Sequence, residues 1–193
     1  KLGRSFAEGM HHLSYGMVDL PSGKMKSREG TVVDADDLVQ EMVDEAKAKT
    51  IELGKTEGLS ESELNHLYES LGLSALKFFI LKVDPRKRML FNPQESIDFQ
   101  GDTGPFIQYT YARIQSILRS AGEGDWKNSE INSALLPVEI ETIQTLYRYP
   151  EEVNKACSDS SPAVICQYAI DLARTFNRFY NECHIMRETD PIV

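Results

Sequence analysis

Residues 23–30 read GKMKSREG, and this octet decides how the rest of the chain is interpreted. Its three cations, Lys24, Lys26 and Arg28, alternate along a segment that has a glycine at each end. In an extended loop, alternating side chains share one side, so the three charges would lie together and repel one another unless an anion binds. Glycine permits the tight or left-handed backbone of such a loop. The octet therefore predicts a phosphate-binding loop, with a solvated basic turn as the alternative.

The segments on either side of the octet favour the phosphate-binding interpretation. Residues 10–18 alternate roughly and carry β-favouring residues, and residues 19–23 read as a turn. Asp34 suits the N-cap of a helix whose first turn is acidic. A strand, a turn, a cationic loop and a helix are the layout of a nucleotide-handling loop at the end of an α/β core.

The sequence of this region is similar to that of a known enzyme family. Residues 24–28 (KMKSR) resemble the second signature, KMSKS, of class I aminoacyl-tRNA synthetases, and HLSYGMV at 12–18 looks like the arginyl-tRNA synthetases. Ser27 stands where the signature has its second lysine, a relaxed form common in that family when arginine follows, as at Arg28. The resemblance leaves open whether Lys26 or another cation replaces the missing lysine.

The resemblance implies that the loop closes over ATP, bound with magnesium, and steadies the departing pyrophosphate. On this basis Lys24, Lys26 and Arg28 are the candidate catalytic residues. Met25 and Ser27 join them in the candidate ATP-binding site.

A second informative run, GDTGPFIQYTYAR, occupies residues 101–113. Pro105 suits the start of a long helix that we expect to reach about residue 121. Phe106, Tyr109 and Arg113 follow at i, i+3 and i+7, which places two rings and a guanidinium along one side. Such a group can stack on unpaired bases and contact phosphate. Packing against a neighbouring helix is the alternative.

This second run closely resembles the start of the all-helical anticodon-binding domain of the same family. Residues 171–180 (DLARTFNRFY) also look like that domain, and Arg174, Asn177, Arg178 and Tyr180 lie on the polar side of the expected last helix. The resemblance implies a tRNA-binding set of five residues: Phe106, Tyr109, Arg113, Arg174 and Arg178.

Apolar spacing predicts helices for most of the chain after Asp34. Ser60 and Glu63 form a capping-box pattern. Gly72 is expected to separate that helix from a buried helix, or a buried strand, at 73–83. In the helix after Pro105, the expected buried stripe is Ile107, Tyr111, Ile114, Leu118 and Ala121.

Composition limits the remaining possibilities. The 193 residues carry a net charge of −9, which argues against a generic nucleic-acid binder and favours selective binding through local basic patches. No run approaches the roughly 18 apolar residues of a membrane span, so we expect a cytoplasmic protein without membrane contact. Cys157, Cys166 and Cys183 form no C-x-x-C pair, and we expect small core hydrophobes rather than a disulfide or a metal site.

The sequence therefore predicts a mainly α chain: the C-terminal edge of a Rossmann-type catalytic domain followed by an all-helical anticodon-binding bundle. The expected divisions are 1–33 for the catalytic edge, 34–99 for a helical connecting region and 100–193 for a truncated anticodon-binding domain.

The resemblance implies a C-terminal fragment of a monomeric arginine-tRNA ligase whose substrates are ATP, L-arginine and tRNA-Arg. The fragment should be inactive alone, because the first signature, HIGH, is absent from its sequence. A stand-alone tRNA-binding module and a helical interaction protein without an RNA role are the alternatives.

Overall fold

Helices dominate the computed structural model, which describes residues 3–19, 34–54, 56, 58–122, 134–183 and 185. The mainly α prediction is confirmed. The elements follow in the order 3-10 turn Ser5–Gly9, β1 Val18–Asp19, α1 Ala35–Glu52, α2 Glu61–Leu81, β2 Met89–Leu90, α3 Pro93–Ser96, α4 Gly104–Ala121, α5 Pro137–Tyr147, α6 Tyr149–Asp159 and α7 Ala163–Glu182.

Helices α1 and α2 begin at the side-chain caps that the sequence predicts. Asp34 accepts a hydrogen bond from the backbone amide of Asp36 at 3.1 Å. Ser60 and Glu63 form a complete capping box, in which the Ser60 hydroxyl accepts from the Glu63 amide at 3.4 Å and the Glu63 carboxylate accepts from the Ser60 amide. The carboxylate accepts two hydrogen bonds in all, from the Ser60 amide at 2.8 Å and from the Ser60 hydroxyl at 2.6 Å. These two hydrogen bonds lower the pKa of Glu63. The caps satisfy amides that the first turn of a helix leaves without a partner.

Gly72 does not separate two helices, so that prediction is wrong. Helix α2 runs without a break from Glu61 to Leu81, and Gly72 lies buried in its middle. A β-carbon at this position would lie 2.8 Å from the carbonyl oxygen of Met42 and 2.9 Å from the amide nitrogen of Val43. Glycine is present here because α1 and α2 approach each other backbone to backbone.

The first core forms where α1 and α2 meet the segment from β2 to α3. Its buried members are Met42, Ala46, Leu71, Ala75, Leu76, Phe91 and Ile97. Phe91 is fully buried, and its ring meets that of Phe79 edge to face with centroids 5.0 Å apart. This core ties the connection after α2 to the first two helices.

Strands β1 and β2 pair in parallel, which attaches the chain just before the cationic octet to the helical body. The amide of Met89 donates to the carbonyl of Met17 at 3.0 Å, and the amide of Phe91 donates to the carbonyl of Asp19 at 2.8 Å. The Asp19 carboxylate also pairs with Arg88 at 2.6 Å. The pairing is short, because the strand predicted over residues 10–18 forms only at its end.

Helix α7 is central to the second group of helices, where it packs against α4, α5 and α6 and also touches α2. Its buried residues are Cys166, Tyr168, Ile170 and Ala173. The ring of Tyr168 lies 5.5 Å from that of Tyr149, and burial raises the pKa of the Tyr168 hydroxyl. Helix α7 therefore makes most of the contacts that hold α4, α5 and α6 together.

The buried stripe predicted for α4 is wrong. Tyr111 is 63% exposed and Leu118 43% exposed, whereas the buried residues of this helix are Gly104, Pro105 and Thr110. The apolar side of α4 instead borders an open groove of about 270 Å³ that α5 and α7 complete. The side of α4 that is covered carries small and polar residues because it contacts α2 and α7 closely.

Candidate nucleic-acid interface

The candidate ATP-site residues Lys24, Met25, Lys26, Ser27 and Arg28 lie outside the described residues. The chain on either side of them is described. It leaves β1 at Asp19, whose carboxylate is paired with Arg88, and it enters α1 at the Asp34 cap. The described chain is therefore held at Asp19 by its pairing with β2 and Arg88, and at Asp34 by the start of α1.

The start of α4 is fixed in place by its sequence. The hydroxyl of Thr103 accepts from the amide of Phe106 at 3.2 Å, and Pro105 occupies the first turn. A β-carbon on Gly104 would lie 2.5 Å from the carbonyl oxygen of Ser74 in α2. Helix α4 thus starts in direct contact with the backbone of α2.

A polar contact between α4 and α2 sets the rotation of α4. The side chain of Gln108 accepts from the Ser74 hydroxyl at 2.7 Å and donates to the Ser70 hydroxyl at 3.3 Å. These bonds hold the first two turns of α4, so the residues on its other sides have defined positions.

Arg113 contacts two tyrosines, one on its own helix and one on α7. Its guanidinium carbon lies 5.0 Å from the ring centroid of Tyr109 and 4.6 Å from that of Tyr180. One guanidinium nitrogen donates to the Tyr109 hydroxyl at 3.2 Å, and another donates to Oδ1 of Asn177. We call Tyr109, Arg113, Asn177 and Tyr180 the tyrosine–arginine cluster.

The tyrosine–arginine cluster leaves part of its aromatic surface accessible. Tyr109 and Tyr180 each expose 37% of their surface, and Phe106 is half-buried. A guanidinium over an aromatic face is an attractive contact, and it holds a ring in one orientation. Of the predicted stacking residues, the structure thus brings Tyr109 and Arg113 into contact and gives Phe106 a smaller accessible surface.

Arg174 and Arg178 lie one turn apart on α7 and form ion pairs with other elements. Arg174 pairs at 2.5 Å with Asp102, which precedes α4, and Arg178 pairs with Glu141 of α5. All four side chains are about half exposed to solvent, between 47% and 57%. Exposed pairs of this kind contribute little to stability, so a phosphate can compete with the carboxylates.

A shallow groove of about 440 Å³ runs beside these two arginines. The other residues that line it are Glu141, Thr145, Arg148, Asp171 and Thr175. Arg178 follows Asn177 by one residue, which turns it about 100° around the helix axis. The five predicted tRNA-binding residues therefore separate into an aromatic group on α4 and a pair of arginines in this groove.

Sequence reasoning assigned no role to Asn177 or Tyr180. Both lie on the polar side of α7 that the sequence identifies, and they are three residues apart, so they share one face of the helix. The missing information was which face of α7 meets Arg113, and this depends on how α4 and α7 pack.

Other kinds of site find no support in the part of the chain that the structure describes. Within it, no three His, Cys, Asp or Glu side chains lie close enough to hold one metal ion. Burial raises the pKa of the Cys166 and Cys183 thiols, which disfavours the reactive thiolate. None of the described helices is both long and apolar enough to cross a bilayer.

Two family models match the chain in succession. Residues 4–92 match the catalytic domain of class I tRNA synthetases (R), and residues 107–193 match the DALR anticodon-binding domain. A relative from Flavobacterium psychrophilum, arginine-tRNA ligase, is 55% identical over 190 residues, which cover 98% of this chain and 31% of the relative.

Two solved structures have the same fold over most of the chain. The arginyl-tRNA synthetase of Thermus thermophilus matches with a TM-score of 0.80 and 33% identity, over 92% of this chain and 28% of that one. The structure of the arginyl-tRNA synthetase of Plasmodium falciparum matches with a TM-score of 0.72 and 24% identity, over 90% of this chain and 29% of that one, which shows the fold alone. The chain spans about a third of the length of the curated relatives it matches.

Proposed function

The chain belongs to the arginyl-tRNA synthetase family, and from this premise we propose that it is the part of an arginine-tRNA ligase that links the ATP-site loop to anticodon recognition. The whole enzyme would activate L-arginine with ATP and transfer it to tRNA-Arg. The observation that carries the RNA-binding half of the proposal is the tyrosine–arginine cluster, which presents two accessible rings around one guanidinium.

We propose that the cationic octet acts on the first reaction by position and charge. A carboxylate oxygen of arginine attacks the α-phosphorus of ATP while the bond to the leaving pyrophosphate breaks, so negative charge grows on the departing group. Lys24 is the main candidate for contact with these phosphates, supported by Lys26 and Arg28, and Ser27 can donate a hydrogen bond. Met25 completes the ATP-binding set, and ATP enters as its magnesium complex.

We propose that the anticodon loop meets two different surfaces. Unpaired bases stack on Tyr109, with Phe106 contributing at the start of α4, and Arg113 holds the aromatic surface together. Arg174 and Arg178 contact the phosphate backbone, which requires that RNA phosphates displace Asp102 and Glu141. Stacking supplies most of the preference for single-stranded loops, and the arginines supply most of the dependence on salt.

The remaining proposals follow from the family. We propose a monomer and a cytoplasmic location, because the product tRNA is consumed there by translation. We also propose the divisions 1–33, 34–99 and 100–193 for the catalytic edge, the connecting region and the anticodon-binding domain. The described core of α1, α2 and β2 supports a separate connecting unit.

The test is a titration with two RNA hairpins that share a stem, one with a loop that carries an arginine anticodon and one closed by a short loop without it. We expect the chain to prefer the anticodon loop. Tyr109→Ala should remove about 1–3 kcal/mol of that preference, the usual contribution of one stacked base. Tyr147→Ala is the matched control, because Tyr147 is 87% exposed and lies on α5, which contributes no residue to the cluster.

Repeating the titration at several salt concentrations separates the two surfaces. Replacing Arg174 and Arg178 by Gln should weaken binding to both hairpins and reduce the salt slope by about one for each phosphate that is no longer neutralised. Tyr109→Ala should leave the slope unchanged. Absent or salt-insensitive binding would instead favour the helical interaction protein, and equal binding of both hairpins would contradict the proposed recognition of the anticodon.

A further inference from the structure

Asn177 of α7 lies in the middle of a hydrogen-bond chain that joins two helices. Its Nδ2 donates to the hydroxyl of Thr110 at 2.9 Å, and its Oδ1 accepts from Arg113. The Thr110 hydroxyl donates in turn to the backbone carbonyl of Phe106 at 3.0 Å. At the other end, Arg113 donates to the Tyr109 hydroxyl at 3.2 Å.

The chemistry of the partners leaves only one orientation for the Asn177 amide. A guanidinium has donors and no acceptor, so the group that faces Arg113 must be the amide oxygen. The amide nitrogen then faces Thr110. The Thr110 hydroxyl accepts this hydrogen bond and donates one of its own to the backbone carbonyl of Phe106. Every step from the backbone of α4 to the Arg113 guanidinium therefore has a fixed direction.

The anchor of this chain is buried, and its end is accessible. Thr110 is 4% exposed and lies at the contact of α4 with α7, whereas Tyr109 and Tyr180 at the outer end each expose 37% of their surface. Without Asn177, Arg113 would keep its bond to Tyr109 and its contact with Tyr180 but would lose its bond to α7. A long arginine side chain held less firmly leaves both rings less ordered.

We propose that Asn177 is a positioning residue for recognition of the anticodon loop, which it serves by holding Arg113 against the rings of Tyr109 and Tyr180. This inference rests on the proposed function, because it assumes that the tyrosine–arginine cluster contacts the loop. Asn177 itself touches no base. It lowers the cost of binding by fixing the aromatic surface before RNA arrives, and Tyr180 becomes part of that surface.

Three variants separate positioning from general stability. Asn177→Leu keeps the approximate size of the side chain and removes both hydrogen bonds. Asn177→Asp keeps an acceptor for Arg113, and the Thr110 hydroxyl can turn to donate to the second oxygen. Gln167→Leu is the control, because Gln167 is an exposed amide on the same helix that bonds only to Asp171 among the partners the structure gives it.

The probes are the two hairpins described above, and thermal unfolding of each variant is measured alongside. Asn177→Leu should lose at least about fivefold in affinity for the anticodon loop, the lower limit for one stacked base, and little for the control hairpin. Asn177→Asp should bind the loop within about twofold of the wild type, since a carboxylate holds Arg113 at least as firmly. Gln167→Leu should behave as the wild type.

The outcomes distinguish this inference from the function on which it rests. If Arg113→Ala weakens loop binding and Asn177→Leu does not, the positioning role is refuted and the proposed function stands. Equal losses for Asn177→Asp and Asn177→Leu, or equal losses for both hairpins, would also refute it, because only folding would then be affected. If the wild type shows no preference for the anticodon loop, the proposed function is wrong and the inference is refuted with it.

Discussion

At the scale of single residues, the three cysteines have different environments, although the sequence predicts that all three are small hydrophobic residues of the core. Cys166 is buried, Cys183 is half-buried and Cys157 is exposed. The prediction of core hydrophobes therefore holds for Cys166 and is wrong for Cys157. All three lie on helices or at a helix end, and periodicity does not reveal which face a neighbouring helix will cover.

These environments predict an order of thiol modification at mildly alkaline pH. Cys157 should react first, Cys183 next and Cys166 last. Burial raises the pKa of both slower thiols, so a smaller fraction is thiolate at a given pH, and Glu139 and Glu182 raise that of Cys183 further. Release of the chromophore from an aromatic disulfide reagent measures the rates, and Cys157→Ser should remove the fast phase alone. A Cys166 rate equal to that of Cys157 would contradict the buried position.

Among the candidate site residues, the sequence predicts the one contact that is local, and their role in binding stays a prediction. Tyr109 and Arg113 lie four residues apart on one helix, so helical spacing alone brings them together. It could not identify Tyr180 and Asn177 as their partners, nor Asp102 and Glu141 as the partners of Arg174 and Arg178. Those contacts join residues more than 30 positions apart, and they depend on how three helices pack.

At the scale of elements, caps and starts were predictable and contact faces were not. Asp34 and Ser60 cap their helices through bonds within three residues, as the local pattern predicts, and α4 starts beside Pro105, which the sequence also predicts. The expected stripe of α4 fails for a different reason. Its apolar residues were identified correctly, but the groove beside Tyr111 is left open by α5 and α7. The break predicted at Gly72 is wrong because glycine occurs both at helix ends and where two helices approach closely, and the sequence does not distinguish these cases.

Because α1 and α2 are in close contact, we expect two alanine substitutions on α2 to change the free energy of unfolding differently. Gly72→Ala should lower the free energy of unfolding, because the new β-carbon would force two backbones apart. Such overpacking costs about 1–3 kcal/mol, against a gain of about 1 kcal/mol from the better helix propensity of alanine. Asn65→Ala, on an exposed position of α2, should be neutral or stabilising. The urea concentrations at the unfolding midpoints of the wild type and the two variants measure these changes. A Gly72→Ala variant that is more stable than the wild type would refute the close backbone contact.

At the scale of the whole molecule, the distribution of charge limits the surface on which the proposed RNA binding would take place. A net charge of −9 repels polyanions in general, and residues 31–70 hold eleven Asp and Glu against three Lys and Arg. Those acidic residues lie mainly on α1 and α2, whereas the tyrosine–arginine cluster and the groove beside Arg174 and Arg178 lie on α4, α5 and α7. If the proposed RNA binding is correct, this placement on different helices would favour one orientation of the RNA and would make binding selective through exclusion of the acidic surfaces.

At the scale of the whole molecule, we also predict that this polypeptide alone does not activate arginine. Class I chemistry holds one ATP between two signatures on a nucleotide fold, and this sequence contains a form of the second but no HIGH tetrapeptide. Lys24, Lys26 and Arg28 then lack the partner groups that would fix ATP beside them, and the advantage of positioning is lost. Arginine-dependent exchange of pyrophosphate into ATP measures this step directly, with a full-length family member as the positive control.

Two controls make a negative exchange result informative. The purified chain must show its cooperative unfolding transition, which proves that the two cores are formed. It must also prefer the anticodon-loop hairpin, which proves that the RNA surface is intact. Under these conditions we expect exchange no higher than in a Lys24→Ala variant of the same chain. Arginine-dependent exchange above that level would mean that these 193 residues assemble an ATP site of their own, and the assignment of the octet to one half of a shared site would be wrong.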